Sequence, residues 1–268
     1  MPVSQAASNK AKIARRVIEV LEFFDDDHRE ATVMDIVRRY DRPQSSTSEL
    51  LSSLVELGLL YKDPFSRSYS LTPRAALLGS AGQSGMVRDG SLVRLTDRLV
   101  AQTGLPVAVF GMVGLNVQIV GWRPGSRRLP AACRGIAGGR QIPLSDSAAG
   151  WLLLSTVQQP RRDGMVRRLN AEAADDRKFS AAEMSQLLQS MRDRGHAEGP
   201  SGFGSSASVL ARLLPGCEGA HPLAIGFVFD AAEQMNSESL LACIDEAIRQ
   251  TAGAAGEAAH VEVLATAA

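Results

Sequence analysis

Between Ile13 and Leu71 the apolar residues keep a helical period through three short runs and then switch to two strand-like runs, which leaves few folds open to this stretch. Ile13, Val17, Val20, Leu21 and Phe24 make the first stripe, which ends at the polar run Asp25-Asp26-Asp27. A second helix begins at Thr32, whose hydroxyl can cap free backbone N–H groups while Asp35 reaches back from three residues on. Val33, Ile36, Val37 and Tyr40 supply its buried face. After Asp41-Arg42, Pro43 fits the first turn of a third helix, where its missing N–H is harmless. Leu50, Leu51, Leu54 and Leu57 mark the inner side of that helix and Gly58 its stop. Leu59 to Lys62 and Ser68 to Leu71 then read as strands around the turn Asp63 to Arg67. Two helices joined by a tight turn and followed by a hairpin predict an all-α winged helix-turn-helix with a small β wing.

That arrangement gives the third helix an outer face of short polar groups, Gln44, Ser45, Ser46, Thr47 and Ser48, continued by Ser52. Such groups can enter a major groove and hydrogen-bond base edges or phosphates. Lys62 and Arg67 on the wing, and Arg42 before the third helix, would lie near the sugar-phosphate backbone. Lys10, Lys12, Arg15 and Arg16 add a positive cluster at the start of the first helix, of which Arg15 and Arg16 are candidate DNA contacts. A merely solvated helix face would show the same polar run.

Three segments carry a resemblance to the isocitrate lyase regulator (IclR) family of transcription factors. They are Arg16-Val17-Ile18-Glu19-Val20-Leu21-Glu22-Phe23-Phe24, Ser48-Glu49-Leu50-Leu51-Ser52-Ser53-Leu54-Val55-Glu56-Leu57-Gly58-Leu59-Leu60, and Tyr69-Ser70-Leu71-Thr72-Pro73-Arg74. The last, closing the wing, narrows the choice among winged-helix families. The resemblance implies a cytoplasmic regulator, a homodimer or dimer of dimers on a near-palindromic double-stranded operator, modulated by a small-molecule effector. Departures matter. Gln44 and Glu49 stand where the family usually has a lysine and an arginine, and the wing turn lacks the usual glycine. Residues 1–80 hold 11 Lys+Arg against 11 Asp+Glu, so this domain has no net charge and its nonspecific pull on DNA is reduced.

At 268 residues the chain has room for two domains. Glycines 79, 82, 85 and 90 interrupt any continuous helix, which sets a DNA-binding domain at 1–80, a linker at 81–90, a sensing domain at 91–256 and a tail at 257–268. In the sensing half, Leu92 to Gln102 predicts a helix, and Pro106 to Met112 and Asn116 to Trp122 a strand pair hinged at Val113-Gly114-Leu115. Helices follow over Ser147 to Leu154, Arg161 to Leu169 and Ala181 to Asp193. Val209 to Leu214 and Leu223 to Phe229 form a second strand pair, and Ser239 to Ala254 a final helix. Paired strands covered by helices predict an α+β layer fold, which the resemblance identifies as a GAF-like or profilin-like effector domain.

The family usually reads Pro-Leu-His-x-Thr-Ala-x-Gly where this chain has Pro143-Leu144-Ser145-Asp146-Ser147-Ala148-Ala149-Gly150. The resemblance implies that this turn, the loop before it and the late strands line a ligand cavity. It places Gly135, Ile136, Ala137, Ser145, Asp146, Ser147, Ser206 and Ser208 there, with Phe110, Met112, Trp122 and Trp151 as candidate walls. Residues 121–140 contain Arg123, Arg127, Arg128, Arg134 and Arg140 and no acidic residue, a positive field that would suit a carboxylate. Gly199-Pro200-Ser201-Gly202-Phe203-Gly204 departs from the family's acidic pattern, so the identity of the ligand does not carry over.

Several classes are disfavoured. No GxSxG elbow, P-loop or dinucleotide fingerprint is present, so no catalytic residue and no cofactor is expected. Cys133, Cys217 and Cys243, and His28, His196, His221 and His260, are scattered outside metal-ligand spacings, so free thiols and no metal are expected. No apolar run approaches the length of a membrane span, and Met1-Pro2-Val3-Ser4 lacks the apolar core of a secretion signal, which points to the cytoplasm without a membrane partner. The rival readings are a ligand-binding protein that has lost DNA binding, suggested by Glu49 and the neutral first domain, and an enzyme of unknown type.

Overall fold

The computed structural model describes residues 9–25, 27–79, 82–83, 85–126, 131–215 and 222–266, with side chains described from 11 to 251. The chain divides into two compact units, Met1–Gln83 and Ser84–Ala268.

In the first unit, helices α1 (Asn9–Phe23), α2 (Val33–Tyr40) and α3 (Gln44–Glu56) precede the antiparallel hairpin β1 (Leu60–Lys62) and β2 (Tyr69–Leu71), and a short α4 (Pro73–Leu77) follows. Val20, Phe23, Ile36, Leu51, Leu54, Leu60 and Tyr69 form the core, of which the helical period marks out Val20, Ile36, Leu51 and Leu54. The Asp35 carboxylate accepts both the Thr32 backbone N–H (2.8 Å) and the Thr32 hydroxyl (2.7 Å), which fixes the start of α2. Asp41 (φ 49°) ends α2 in the left-handed region, which a short polar side chain tolerates. Pro43 is the residue before α3 rather than one within its first turn. The expected stripes are not matched throughout: Ile13 is 56% and Leu57 61% exposed, and Phe23 rather than Phe24 is the buried phenylalanine of α1. α3 ends at Glu56, so Leu57 turns outward and Leu59 and Leu60 take the inner places.

In the second unit, α5 (Gly85–Arg88) and α6 (Ser91–Thr103) lead into a six-stranded antiparallel sheet of order β5-β4-β3-β8-β7-β6. Its strands are β3 (Val107–Val113), β4 (Asn116–Arg123), β5 (Gln141–Pro143), β6 (His196–Pro200), β7 (Ala207–Leu213) and β8 (Leu223–Asp230). Helices α7 (Ala148–Ser155), α8 (Arg161–Glu172) and α9 (Ala181–Arg194) lie between β5 and β6, and α10 (Ser237–Thr266) closes the chain. Alternation in the strands assigns the two faces. Ala108, Phe110, Val209, Ala211, Ala224 and Val228 join the core beneath α7, α8 and α9. Val107, Val109, Leu210, Ile225 and Phe227 join the core formed with α6 and α10. Central strands buried on both faces read as near-continuous apolar runs, as in Val107-Ala108-Val109-Phe110.

The two-domain fold, helix-turn-helix followed by an α/β domain on an antiparallel sheet, is as expected. β5, α4 and α5 were not foreseen, nor was β6, since His-Ala-Glu-Gly-Pro has neither alternation nor strand-favouring side chains and forms only as an edge beside β7. α10 continues to Thr266, through the position where the sequence places a tail.

Candidate functional site

On α3 the exposed side chains are Gln44, Ser45, Glu49, Ser52, Ser53 and Glu56, with Ser46 and Ser48 half-buried. Thr47 corrects the expected set: it is 1% exposed and its hydroxyl donates to the Pro43 carbonyl (2.9 Å), so it holds the start of the helix and reads nothing. The first turn of α3 carries no acidic residue and no side-chain cap, so its backbone N–H groups remain available to an anion. Beside it is a cleft of about 580 Å³ lined by Lys12, Arg15, Arg16, Arg42, Pro43 and Ser46. Arg16 donates to the Ser46 hydroxyl at 3.2 Å, joining α1 to the N-terminus of α3. Arg42 is committed elsewhere, donating to both carboxylate oxygens of Glu19 (3.0 and 3.1 Å), so its charge is largely answered within the unit. The Lys10 side chain lies outside the described residues.

The wing keeps its turn without a glycine. The Asp63 carboxylate accepts the backbone N–H groups of Ser66 (2.8 Å) and Phe65 (2.7 Å), bonds that hold its carboxyl below the ordinary carboxylate range. Arg67 itself takes the left-handed conformation (φ 56°). Lys62 and Arg67 are both exposed, and the Lys62 ammonium lies 5.4 Å from the Tyr69 ring centre.

In the second unit the turn at 144–148, the loop at 133–140 and the segment at 199–206 come together. A Cβ on Gly202 would lie 2.8 Å from the Asp146 carbonyl oxygen, and one on Gly135 3.5 Å from that of Phe203. Gly202, Phe203 and Gly204 have φ of 76°, 59° and 73°, and this kinked segment sends the Phe203 ring inward, 2% exposed and 6.4 Å from the ring of Phe110. Phe110, Ile136 and Ser147 are buried. Ser147 is the cap of α7, its hydroxyl oxygen accepting the Gly150 N–H at 3.0 Å.

The remaining predicted residues are dispersed. Ser145 donates to Asp146 (2.8 Å), Arg177 pairs with the other Asp146 oxygen (3.0 Å), and the Trp151 indole N–H donates to the Ser145 carbonyl (2.7 Å). Ser145, Asp146 and Arg177 border a small cleft of about 150 Å³. Gly135, Ala137 and Ser206 are exposed, Ser208 is half-buried in β7, and Met112 and Trp122 pack partly buried on the core. Arg123 is paired with Asp97 of α6 at 2.9 Å, a partner outside the acid-free window. Arg134 and Arg140 are exposed, and Arg140 donates to the Gly135 carbonyl. Arg127, Arg128, Cys217 and His221 lie outside the described residues, as does the His260 side chain. A larger cavity of about 590 Å³, lined by Thr156, Gln158, Arg192, Arg212, Leu213 and Leu223, contains none of the predicted residues.

Phe203 and Arg177 escaped the sequence reading; the only local sign was a phenylalanine flanked by glycines. Cys133 and Cys243 are free, and burial pushes the Cys133 thiol up. Among the described residues no cluster of metal-ligating side chains occurs, and no helix is long and apolar enough to cross a membrane.

Residues 14–64 match the IclR helix-turn-helix domain model. No curated protein matches the chain. Among solved structures, an IclR transcriptional regulator from Alicyclobacillus acidocaldarius is 21% identical, with 90% of this chain and 96% of that one covered and a TM-score of 0.56. An IclR homolog complexed with 4-hydroxybenzoate from Microbacterium hydrocarbonoxydans is 17% identical, with 89% and 97% covered and a TM-score of 0.55. The effector domain of an IclR regulator from Acinetobacter sp. ADP1 is 20% identical, with 61% of this chain and 94% of that one covered and a TM-score of 0.54. The chain thus carries an IclR helix-turn-helix domain at residues 14–64 and has the two-domain fold of solved IclR proteins.

Proposed function

We propose that this chain is a transcriptional regulator that binds double-stranded DNA sequence-specifically through its first unit and responds to a small molecule bound by its second. The observation that carries the reading is the outer side of α3, where Gln44, Ser45 and Ser52 are exposed and Ser48 half-buried beside the cationic cleft of Lys12, Arg15 and Arg16. Short hydroxyls beside a free helix N-terminus suit base edges flanked by phosphates. A homodimer or dimer of dimers would set two such helices in successive major grooves of a near-palindromic operator, and the effector would bias two arrangements of the assembly.

Retention of genomic fragments at low salt tests the reading. With a selected fragment, Arg15→Ala weakens specific and nonspecific DNA alike and reduces the slope of log affinity against log salt by about 1, the share of one phosphate contact. Ser45→Ala combined with Ser48→Ala lowers affinity for the selected fragment about tenfold and leaves nonspecific binding intact. Failure to retain any fragment refutes DNA binding, and an unchanged double variant refutes this face as the reader.

For the effector, the reading is an aromatic-type or carboxylate-bearing metabolite. Exposed Arg134 and Arg140 near the Gly135 loop supply charge, and Phe110 and Phe203 an aromatic interior. The 4-hydroxybenzoate held by the Microbacterium homolog is of the same chemical class. Calorimetric titration with matched aromatic acids and amides is expected to favour the acids at least tenfold; equal binding of both removes the carboxylate from the proposal.

A further inference from the structure

We propose that Glu49 is a specificity-determining residue that selects cytosine in the operator; the inference rests on the DNA-binding reading above. α3 holds no cation, and its charged side chains are Glu49 and Glu56. Counted from Gln44, Glu49 is the sixth residue of the helix, and it shares the exposed side with Ser45, Ser48 and Ser52. Helical rotation keeps these together, with buried Thr47, Leu51 and Leu54 on the opposite side. The Ser53 hydroxyl donates to the backbone carbonyl of Glu49 at 3.0 Å, and among the described residues no cation pairs with its carboxylate.

A carboxylate brought into a major groove meets phosphate repulsion from both sides and has only acceptor lone pairs to offer. It is tolerated only where a base presents a donor. Guanine presents two acceptors, thymine an acceptor and a methyl, and adenine a donor next to an acceptor. Cytosine alone presents a donor, its N4 amino group, with no acceptor on its own edge. The same carboxylate that weakens binding to arbitrary DNA therefore penalises three bases more than the fourth.

Site selection from a randomised duplex pool, run on the full chain and on Glu49→Ala and Glu49→Gln, reads this directly. The unsubstituted chain is expected to enrich cytosine at one position of each half-site, with about a 5- to 30-fold preference over the other bases. Glu49→Ala loses the preference at that position alone while binding mixed-sequence DNA more tightly. Glu49→Gln moves it towards adenine, whose donor and acceptor a carboxamide matches. Identical selected sequences for all three proteins, or any base other than cytosine preferred by the unsubstituted chain at the position that Glu49→Ala relaxes, overturn the inference while leaving DNA binding standing. Enrichment of no sequence by any of them overturns the DNA-binding reading and this inference with it.

Discussion

Gly150→Ala is expected to destabilise the second unit by about 3 kcal/mol or more, above the usual range for one added methyl in a packed interior. The reason is backbone. A Cβ at this position would lie 2.3 Å from the Leu144 carbonyl oxygen and 2.9 Å from the Leu144 carbonyl carbon, where the tight turn Leu144–Asp146 packs across the first turn of α7. No side chain can swing aside, so either the turn or the helix must move, and with it the cap from Ser147. A unit of this size loses about 2–4 °C per kcal/mol, so its thermal transition should fall by roughly 6–12 °C, followed by circular dichroism. Gly164→Ala is the matched control. It lies within α8 with nothing inside 4 Å of its Cβ position, so it should raise stability by about 0.4–1 kcal/mol by restricting the unfolded chain. Equal transitions for the two variants would refute the packing account.

Phe203→Ala is expected to remove about 3–5 kcal/mol from the same unit, because the ring is fully enclosed and its loss leaves a void against Phe110. Backbone conformation makes a second, sharper test possible. Phe203 has φ 59°, so glycine at 203 should be more stable than alanine by about 1 kcal/mol, although glycine is usually the worse replacement. An apolar void of this kind also stays dry and accepts a small ring. Adding benzene or phenol to Phe203→Ala should therefore raise its transition temperature, by about 2.7 kcal/mol equivalent at a hundredfold excess over Kd. A transition indifferent to the truncation, or a truncated protein indifferent to both compounds, would show that the ring fills no site.

Much of the first unit was legible because its signals are local. Val20, Ile36, Leu51 and Leu54 repeat at helical spacing, Thr32 and Asp35 sit one helical turn apart, and Gly58 follows the last helical turn; each is a relation within a few residues. The strands Val107–Val113 and Leu223–Asp230 were legible as apolar runs, but their pairing with each other was not, because it joins residues more than a hundred positions apart. β6 was not, because its backbone bonds to β7 make it a strand and its side chains do not.

At the candidate sites the division is sharper. Local sequence placed Gln44, Ser45, Ser48 and Ser52 on one outer helical face, whereas the turn at Pro143–Gly150 was assigned to a ligand site only by the family resemblance. It could not reveal that Arg42 is held by Glu19, 23 positions earlier, or that Arg123 finds Asp97 outside the acid-free window. Nor could it show Thr47 turned inward, or the Phe203 ring buried against Phe110. Side-chain periodicity is set by the few bonds between neighbouring residues, so it is written along the chain. Which charge is answered and which space is filled depend on groups brought together by folding, and those only the tertiary structure decided.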